Sequence, residues 1–461
     1  MLKKLSVKNF KSWADLPALE FGKVTALFGA NSSGKTSLIQ LLLMLKQTAA
    51  SRDRRILNFG GTPQDYVDLG GYVDIVHGHD LESDLGFNLT WTSYYDEEEG
   101  SNAPWNVGEI TLGVVLSYVG EQVVVKRLSY DAEVSDFGPA SLNQEDGEWH
   151  SDVIYHSLNV SMERLPEGRY RIFLPPDVKV DSNIESLAFY NAAIPIYLGI
   201  KNAESLMLAN SRLGDLSRPL EEFLSSIYYL GPLREYPHRE YRWSGESPLS
   251  VGVRGEYAVP AMLSKLVTEQ SSELIDSANA WLKRLGMAKR IDLRPIAQGA
   301  RLYEFVVQTS GYKHDANLMD VGFGVSQVLP IIVLAHFAPP GSLIILEQPE
   351  IHLHPQVQTE LADLFLETAL ERNVQFFIES HSEYLLMRLQ RRLAERKGEF
   401  ANLTEEDVRL YFCKREADAS VLEPLAIDEF GRIKNWPKDF FGDAVAERRA
   451  MTEAMLERMS K

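Results

Sequence analysis

The sequence predicts an α/β protein whose parallel sheet is assembled from both ends of the chain, with an antiparallel β layer between them. Three observations predict it. Gly29-Ala30-Asn31-Ser32-Ser33-Gly34-Lys35-Thr36 fits the phosphate-loop pattern G-x-x-x-x-G-K-S/T and lies between an apolar run and a leucine-rich one. The last third of the chain alternates apolar, strand-like runs with helical patterns, the signature of parallel pairing. Between Gly86 and Pro175, short β-prone runs are separated by Gly, Asn and Asp turns.

Taken in order, Met1 to Phe10 reads as a strand, because its charges interrupt any apolar stretch of the kind a secretory signal needs. Lys23 to Phe28 is a short apolar strand, and Ser37 to Lys46 is the helix that a phosphate loop requires. Phe87 to Trp91, Val114 to Tyr118 and Tyr170 to Leu174 are strands of the β layer. Residues 184–228 have helical spacing and end in a strand and loop at Tyr228-Tyr229-Leu230-Gly231-Pro232-Leu233-Arg234; residues 254–286 are helical again. Strands at Leu343 to Glu347, Gln375 to Ile378 and Val408 to Cys413 then alternate with helices from Pro355 to about Glu371 and from Ser382 to about Lys397. There is no heptad run, so no coiled-coil arm is expected. The expected division is 1–84 and 231–415 as the two parts of one head, 85–230 as the inserted β layer and helical region, and 416–461 as a short C-terminal domain.

With 461 residues, 45% hydrophobic and 24% charged, the chain has the composition of a folded soluble protein, and no apolar stretch approaches the ~20 residues needed to cross a bilayer. A cytoplasmic protein without membrane contact is expected. Its one cysteine, Cys413, lies in an apolar run and reads as a core thiol. The net charge of −18 gives no indication of DNA binding, although a local positive groove formed on dimerisation stays open. Asp96-Glu97-Glu98-Glu99 reads as a solvated loop.

Four constellations carry chemistry. In the phosphate loop the glycines let successive N–H groups of Gly29 to Gly34 curl around phosphates, Lys35 reaches the β- and γ-phosphates, Thr36 ligates Mg²⁺, and Ser37 opens a helix whose dipole favours the anion. These features predict ATP with Mg²⁺ as the ligand. The buried strand ending Glu347-Gln348-Pro349-Glu350 delivers carboxylates beside that loop, and Glu347 is the candidate Mg²⁺ ligand. Gly322-Phe323-Gly324-Val325-Ser326-Gln327 is a glycine turn opening an apolar helix, with backbone N–H groups and a hydroxyl for an anion. Phe376 to Ser382 is a strand ending at His381, where ligands of open sheets gather, which makes His381 a candidate γ-phosphate contact. His352 and His354 lack a nearby third ligand, so capping and contact roles are preferred to a metal site.

In this order the four elements resemble the ATP-binding-cassette (ABC) ATPases of the branch that includes the RecF, Rad50 and overcoming-lysogenisation-defect (OLD) proteins. The resemblance implies an ABC-type P-loop ATPase head in which Glu347 ends Walker B, Gly324, Ser326 and Gln327 stand in the signature turn, and His381 is the switch histidine. It also implies a homodimer or higher homo-oligomer that buries ATP head to head, with Ser326 facing the γ-phosphate held by the other subunit's Lys35. Glu347 to Pro355 and the tail Ile427 to Phe441 look like a prokaryotic subgroup with a short C-terminal domain of unassigned function. That subgroup is similar to ATPase subunits of anti-phage systems such as PARIS, where a separate nuclease-like effector is controlled.

Two departures qualify the resemblance. Gln348 stands where a catalytic glutamate is usual, and an amide does not ionise, so slow hydrolysis is expected, with Glu350 as the candidate to orient water. About 80 residues follow His381, too few for a further full-sized nuclease domain. The expected function is an ATP-driven dimer switch controlling an effector in phage defence; the alternative is a RecF-like DNA-repair or DNA-structure ATPase. Gln64 and Asp68 are alternative metal-sensing residues, and Arg234, Arg239 and Arg254 are default surface arginines with a hypothetical place in a dimer or effector groove. Trp436, Pro437, Phe440 and Phe441 read as packing for the tail.

Overall fold

The computed structural model describes residues 1–51, 57–92, 105–137, 141–142, 149–150, 153–164, 170–173, 219–297, 299, 301–309, 314–437, 451–452, 455 and 458. The acidic run Asp96 to Glu99, residues 184–218 of the expected helical stretch, Leu174, Phe440 and Phe441 lie outside the described residues.

The first elements are β1 (Leu2–Phe10), β2 (Trp13–Glu20), β3 (Val24–Gly29), α1 (Lys35–Ala50), α2 (Tyr72–Ile75) and β4 (Leu85–Thr92). Next come β5 (Trp105–Val119), β6 (Gln122–Phe137), the short pair β7 (Ser141–Leu142) and β8 (Trp149–His150), then β9 (Val153–Arg164) and β10 (Tyr170–Phe173). A helix whose described part is 219–225, α3, leads into β11 (Ile227–Leu230), β12 (Tyr241–Arg242), α4 (Ala258–Thr268) and α5 (Glu273–Arg284). The remainder is β13 (Arg290–Pro295), β14 (Leu302–Gln308), β15 (Ala316–Asn317), α6 (Gly324–Phe337), β16 (Leu343–Glu347), α7 (Pro355–Arg372), β17 (Gln375–Glu379), α8 (Glu383–Glu395), β18 (Val408–Glu416) and β19 (Ala419–Pro424).

The result is a mixed α/β fold in layers. β3, β16 and β17 are buried at every position, the pattern of strands covered on both faces. They form the centre of a six-stranded sheet of order β11-β16-β17-β3-β18-β19, parallel from β11 to β18, with β19 antiparallel at the edge. The loop-bearing strand at the start of the chain thus joins the sheet built by its last third, as the alternation predicts. The β-prone middle segments form a seven-stranded antiparallel sheet, β10-β9-β6-β5-β4-β1-β2, so β1 and β2 pair into the same sheet as the middle strands.

Helix α1 lies between these two sheets. Its side chains are buried nearly all round, and one apolar cluster joins Leu38, Leu42 and Met44 to Leu5 and Leu89 of the antiparallel sheet and to Ile345 and Phe377 of the parallel sheet. The other face of the parallel sheet is covered by α4 to α7, with Met262, Leu282, Ile332 and Phe365 in a second cluster. A small sheet of β12, β14, β13 and β15 lies beside them; the sequence reading assigns no strands there, because two of the four have only two residues and β13 exposes its charged positions.

Helices α5, α7 and α8 are locked by one fully buried carboxylate. Asp363 meets Arg284 at 2.9 Å, Arg392 at 2.7 Å and Arg388 at 3.1 Å. This cluster fixes α7 and α8, and with them the loops that follow β16 and β17. Among the described residues no coiled-coil arm occurs and no helix is long and apolar enough to cross a membrane.

Candidate functional site

The carboxyl ends of β16, β17 and β3 converge because they pair in parallel with Glu347 opposite Glu379 and Glu379 opposite Leu27. Gly29 and Gly34 have φ of 140° and 95°, and Ser32 also lies in the left-handed region at 59°. A Cβ on Gly29 would meet the Cys413 carbonyl oxygen at 2.1 Å, and one on Gly34 would meet Ser420 Oγ at 2.5 Å and Ser12 Oγ at 2.6 Å, so only glycine lets the loop close against β18, β19 and the β1–β2 turn. Trp13 Nε1 donates to the Gly34 carbonyl at 3.0 Å, and Ser37 Oγ donates to the same oxygen at 2.6 Å, which turns Ser37 inward.

The loop encloses the end of a 16-residue helix that has no side-chain cap and no acidic residue in its first turn. Its first N–H groups therefore remain for an anion. Lys35 Nζ, buried, donates to the carbonyls of Gly29 at 3.0 Å and Ala30 at 2.8 Å, and burial lowers its pKa while the nearby Glu379 carboxylate raises it. The cavity above has a volume of about 370 Å³ and is lined by Asn31 to Ser37 with Lys11, Ser12, Gln348 and Glu379. An uncapped helix end, a buried ammonium and a glycine cradle fit a phosphate chain.

Three carboxylates lie at this end of the sheet; Glu379 lines the cavity, whereas Glu347, Glu350 and the neighbouring His381 do not. Thr36 Oγ1 donates to Glu379 at 2.9 and 3.1 Å, and Lys35 Nζ lies 3.9 Å from the same group. Glu347 accepts the Tyr229 hydroxyl at 2.9 Å; burial first and Glu379 second push its carboxyl up to about 7. Glu350 accepts the His381 N–H at 2.6 Å, and burial raises its carboxyl too. Burial likewise raises Glu379, offset by Lys35 and Thr36. Gln348, with φ of 44°, donates its N–H to the Glu379 carbonyl at 2.8 Å and lines the cavity. The His381 ring is held below its ordinary value by burial and by Lys35.

The signature-like turn stands apart. Gly324, Ser326 and Gln327 do not line the cavity. Ser326 is buried, with its hydroxyl donated to the Phe323 carbonyl at 2.7 Å, and a Cβ on Gly324 would strike Met287 Cε at 2.6 Å. Phe323, half exposed, packs its ring against His352 and Tyr236. His354 caps α7 by accepting the Gln356 N–H, the capping role expected of it. Gln64 and Asp68 are exposed and outside the cavity lining.

The three arginines separate. Arg239 forms a two-pronged pair with Asp320 at 2.8 and 3.0 Å and Arg254 faces Glu235 at 3.8 Å, both at the surface, whereas Arg234 is buried beside Glu347 and Glu350. Sequence reasoning passed over Glu379 and Tyr229. Glu379 carried a signal, since it follows the apolar run Phe376-Phe377-Ile378 just before His381; Tyr229 carried none, because its role depends on β11 pairing with β16. Trp436, expected as packing, is about half exposed.

Residues 1–84 match the family model described as "AAA ATPase domain", residues 214–388 the one described as "AAA domain, putative AbiEii toxin, Type IV TA system", and residues 403–450 "Protein of unknown function (DUF3696)". The two AAA stretches are the ones that contribute the phosphate loop and the carboxylate strands. Among solved structures, the fold is similar to an SMC head domain from Thermotoga maritima (14% identity, TM-score 0.38, covering 92% of this chain and 99% of that one). It is also similar to an SmcHead bound to the C-winged helix domain of ScpA (13%, 0.43, 92% and 98%). A third likeness is to an Smc head domain with an extended coiled coil bound to the C-terminal domain of ScpA derived from Pyrococcus furiosus (12%, 0.39, 100% and 99%). No curated protein sequence matches the chain.

Proposed function

We propose that the chain is a cytoplasmic, Mg²⁺-dependent ATPase that works as a nucleotide-driven dimer switch and controls a separate effector, in bacterial defence against phage. The observation that carries the ATPase part is the uncapped start of α1 with Lys35 buried at its mouth beside Glu379. Residues 1–84 and 231–415 form the head, 85–230 the β layer and helical region, and 416–461 the C-terminal domain.

Within the head, the N–H groups of Gly29 to Ser37 bind phosphate, and Lys35 neutralises it. Thr36 and Glu347 hold Mg²⁺. Bound MgATP supplies a phosphoanhydride whose charge the metal offsets. Glu350, fixed through the His381 N–H, orients water; Gln348 cannot take a proton, so turnover is slow. His381, whose ring burial and Lys35 hold below its ordinary value, contacts the γ-phosphate.

The dimer part rests on the incomplete cage. The cavity is lined by the loop, the β1–β2 turn and the β16 and β17 ends, and the second wall comes from Gly324, Ser326 and Gln327 of another copy. Closure requires Ser326 to leave its bond to Phe323. The defence part rests on the resemblance of Glu347 to Pro355 and of the tail to ATPase subunits of anti-phage systems, and on the toxin–antitoxin wording of the model matching 214–388.

Light scattering with a non-hydrolysable ATP analogue and Mg²⁺ tests the switch. The wild-type chain is expected to self-associate and Lys35→Ala to remain as it is without nucleotide. A wild-type chain that binds the analogue without associating sinks the dimer switch; salt-sensitive, ATP-dependent DNA binding favours the RecF-like alternative.

A further inference from the structure

Arg234 lies four residues beyond the end of β11, which pairs in parallel with β16, so its loop opens beside the carboxyl end that carries Glu347. The loop is held from both sides: the Gly231 N–H donates to the Val253 carbonyl at 2.8 Å, and the Glu235 N–H to the Arg254 carbonyl at 2.9 Å. Arg234 is only 9% exposed, and its Nε and Nη1 have no hydrogen-bond acceptor.

A buried guanidinium is ordinarily paired by a fork of acceptors, because unmet donors in the interior are unfavourable. The groups that act on Arg234 are the neutral Tyr229 hydroxyl and the carboxyls of Glu347 and Glu350. Each nearby acid has a partner on one oxygen, while Glu350 Oε2 is buried without one. Glu347 accepts from Tyr229, Glu350 from His381, and Glu379 from Thr36. Glu350 also acts on Lys35, so the two cations lie around the same acidic group. Neither donor reaches an acceptor within the chain, and at this end of the sheet the proposed ligand is a phosphate chain.

We propose that Arg234 is a further phosphate-binding residue of the cleft, whose Nε–H and Nη1–H receive oxygens of the terminal phosphate of bound nucleotide. The assignment rests on the nucleotide-binding reading above. It separates Arg234 from Lys35: Lys35 sits inside the loop and serves every phosphate chain, whereas Arg234, on the loop after β11 and outside the present cavity lining, recognises the terminal group.

The test is calorimetric titration of the full-length chain with ADP and with a non-hydrolysable ATP analogue, both with Mg²⁺. Arg234→Ala is expected to weaken the analogue by roughly 10- to 100-fold while leaving ADP nearly unchanged. Arg234→Gln, which keeps the size and loses the charge, is expected to show the same selective loss and serves if the alanine variant does not fold. Equal binding of both nucleotides by variant and wild type overturns the assignment, and so does a loss of the same factor for both, which marks a merely structural role. A wild-type chain that binds neither nucleotide instead sinks the nucleotide-binding reading itself.

Discussion

The Thr36 hydroxyl donates to both oxygens of Glu379, at 2.9 and 3.1 Å, with the Lys35 ammonium 3.9 Å from the same carboxylate. An internal acid therefore holds the two side chains that a phosphate loop offers to its ligand. Glu379→Gln removes a negative charge from the cradle and is expected to strengthen metal-free ATP binding by roughly 3- to 10-fold, since charge-assisted bonds to Lys35 and Thr36 no longer compete. Equilibrium binding in the presence of a chelator measures it. Unchanged affinity means that Glu379 does not compete with the phosphate.

Glu350 is the buried acid fixed by the His381 N–H, and Gln348 cannot ionise. Glu350→Gln is expected to lower kcat on the order of 100-fold while nucleotide affinity stays near wild type, the range for removal of a group that directs a proton. Steady-state phosphate release decides it. Should Glu350→Gln turn over like wild type while Lys35→Ala is dead, water is oriented by another group.

Glu347 titrates near pH 7 in the folded chain, against 4.5 for the ordinary side chain, because burial and Glu379 disfavour its charge. The folded state therefore holds this proton more tightly than the unfolded state. Its contribution, on the order of 3 kcal/mol, is full below pH 4.5 and lost as pH rises toward 7. Without metal, the unfolding midpoint is expected to fall over that window, and Glu347→Gln to flatten the fall. Mg²⁺ with nucleotide is expected to restore stability at the upper end, where the ionised carboxylate has a partner. A midpoint with the same pH profile in both chains refutes the linkage.

Asp363 is fully buried against Arg284, Arg388 and Arg392. Asp363→Ala leaves three cations without their shared acid and is expected to destabilise the chain by about 3 kcal/mol, at the lower end of the range for a broken buried pair because two of the arginines are partly exposed. Denaturant unfolding measures the loss. A change below about 0.5 kcal/mol, the size of an ordinary surface substitution, shows that the cluster is not what locks α5, α7 and α8.

The local elements are written in short stretches of the chain. The phosphate loop, the strands Leu343–Glu347 and Gln375–Glu379 and helix α7 are legible because glycine spacing, continuous apolar runs and helical periodicity are encoded within a few residues. The sequence also marked Lys35, Thr36, Glu347 and His381, which lie at the ends of those elements. Only the tertiary structure decided which ends meet. Placing β17 between β16 and β3 brings Glu379, not only Glu347, to Thr36, and pairing β11 with β16 buries Arg234 and points Tyr229 at Glu347. β1 likewise joins the middle strands in one sheet through its pairing with β4. Strand order and side-chain partnership are set by pairings between residues far apart in the chain, and a local pattern carries no record of them.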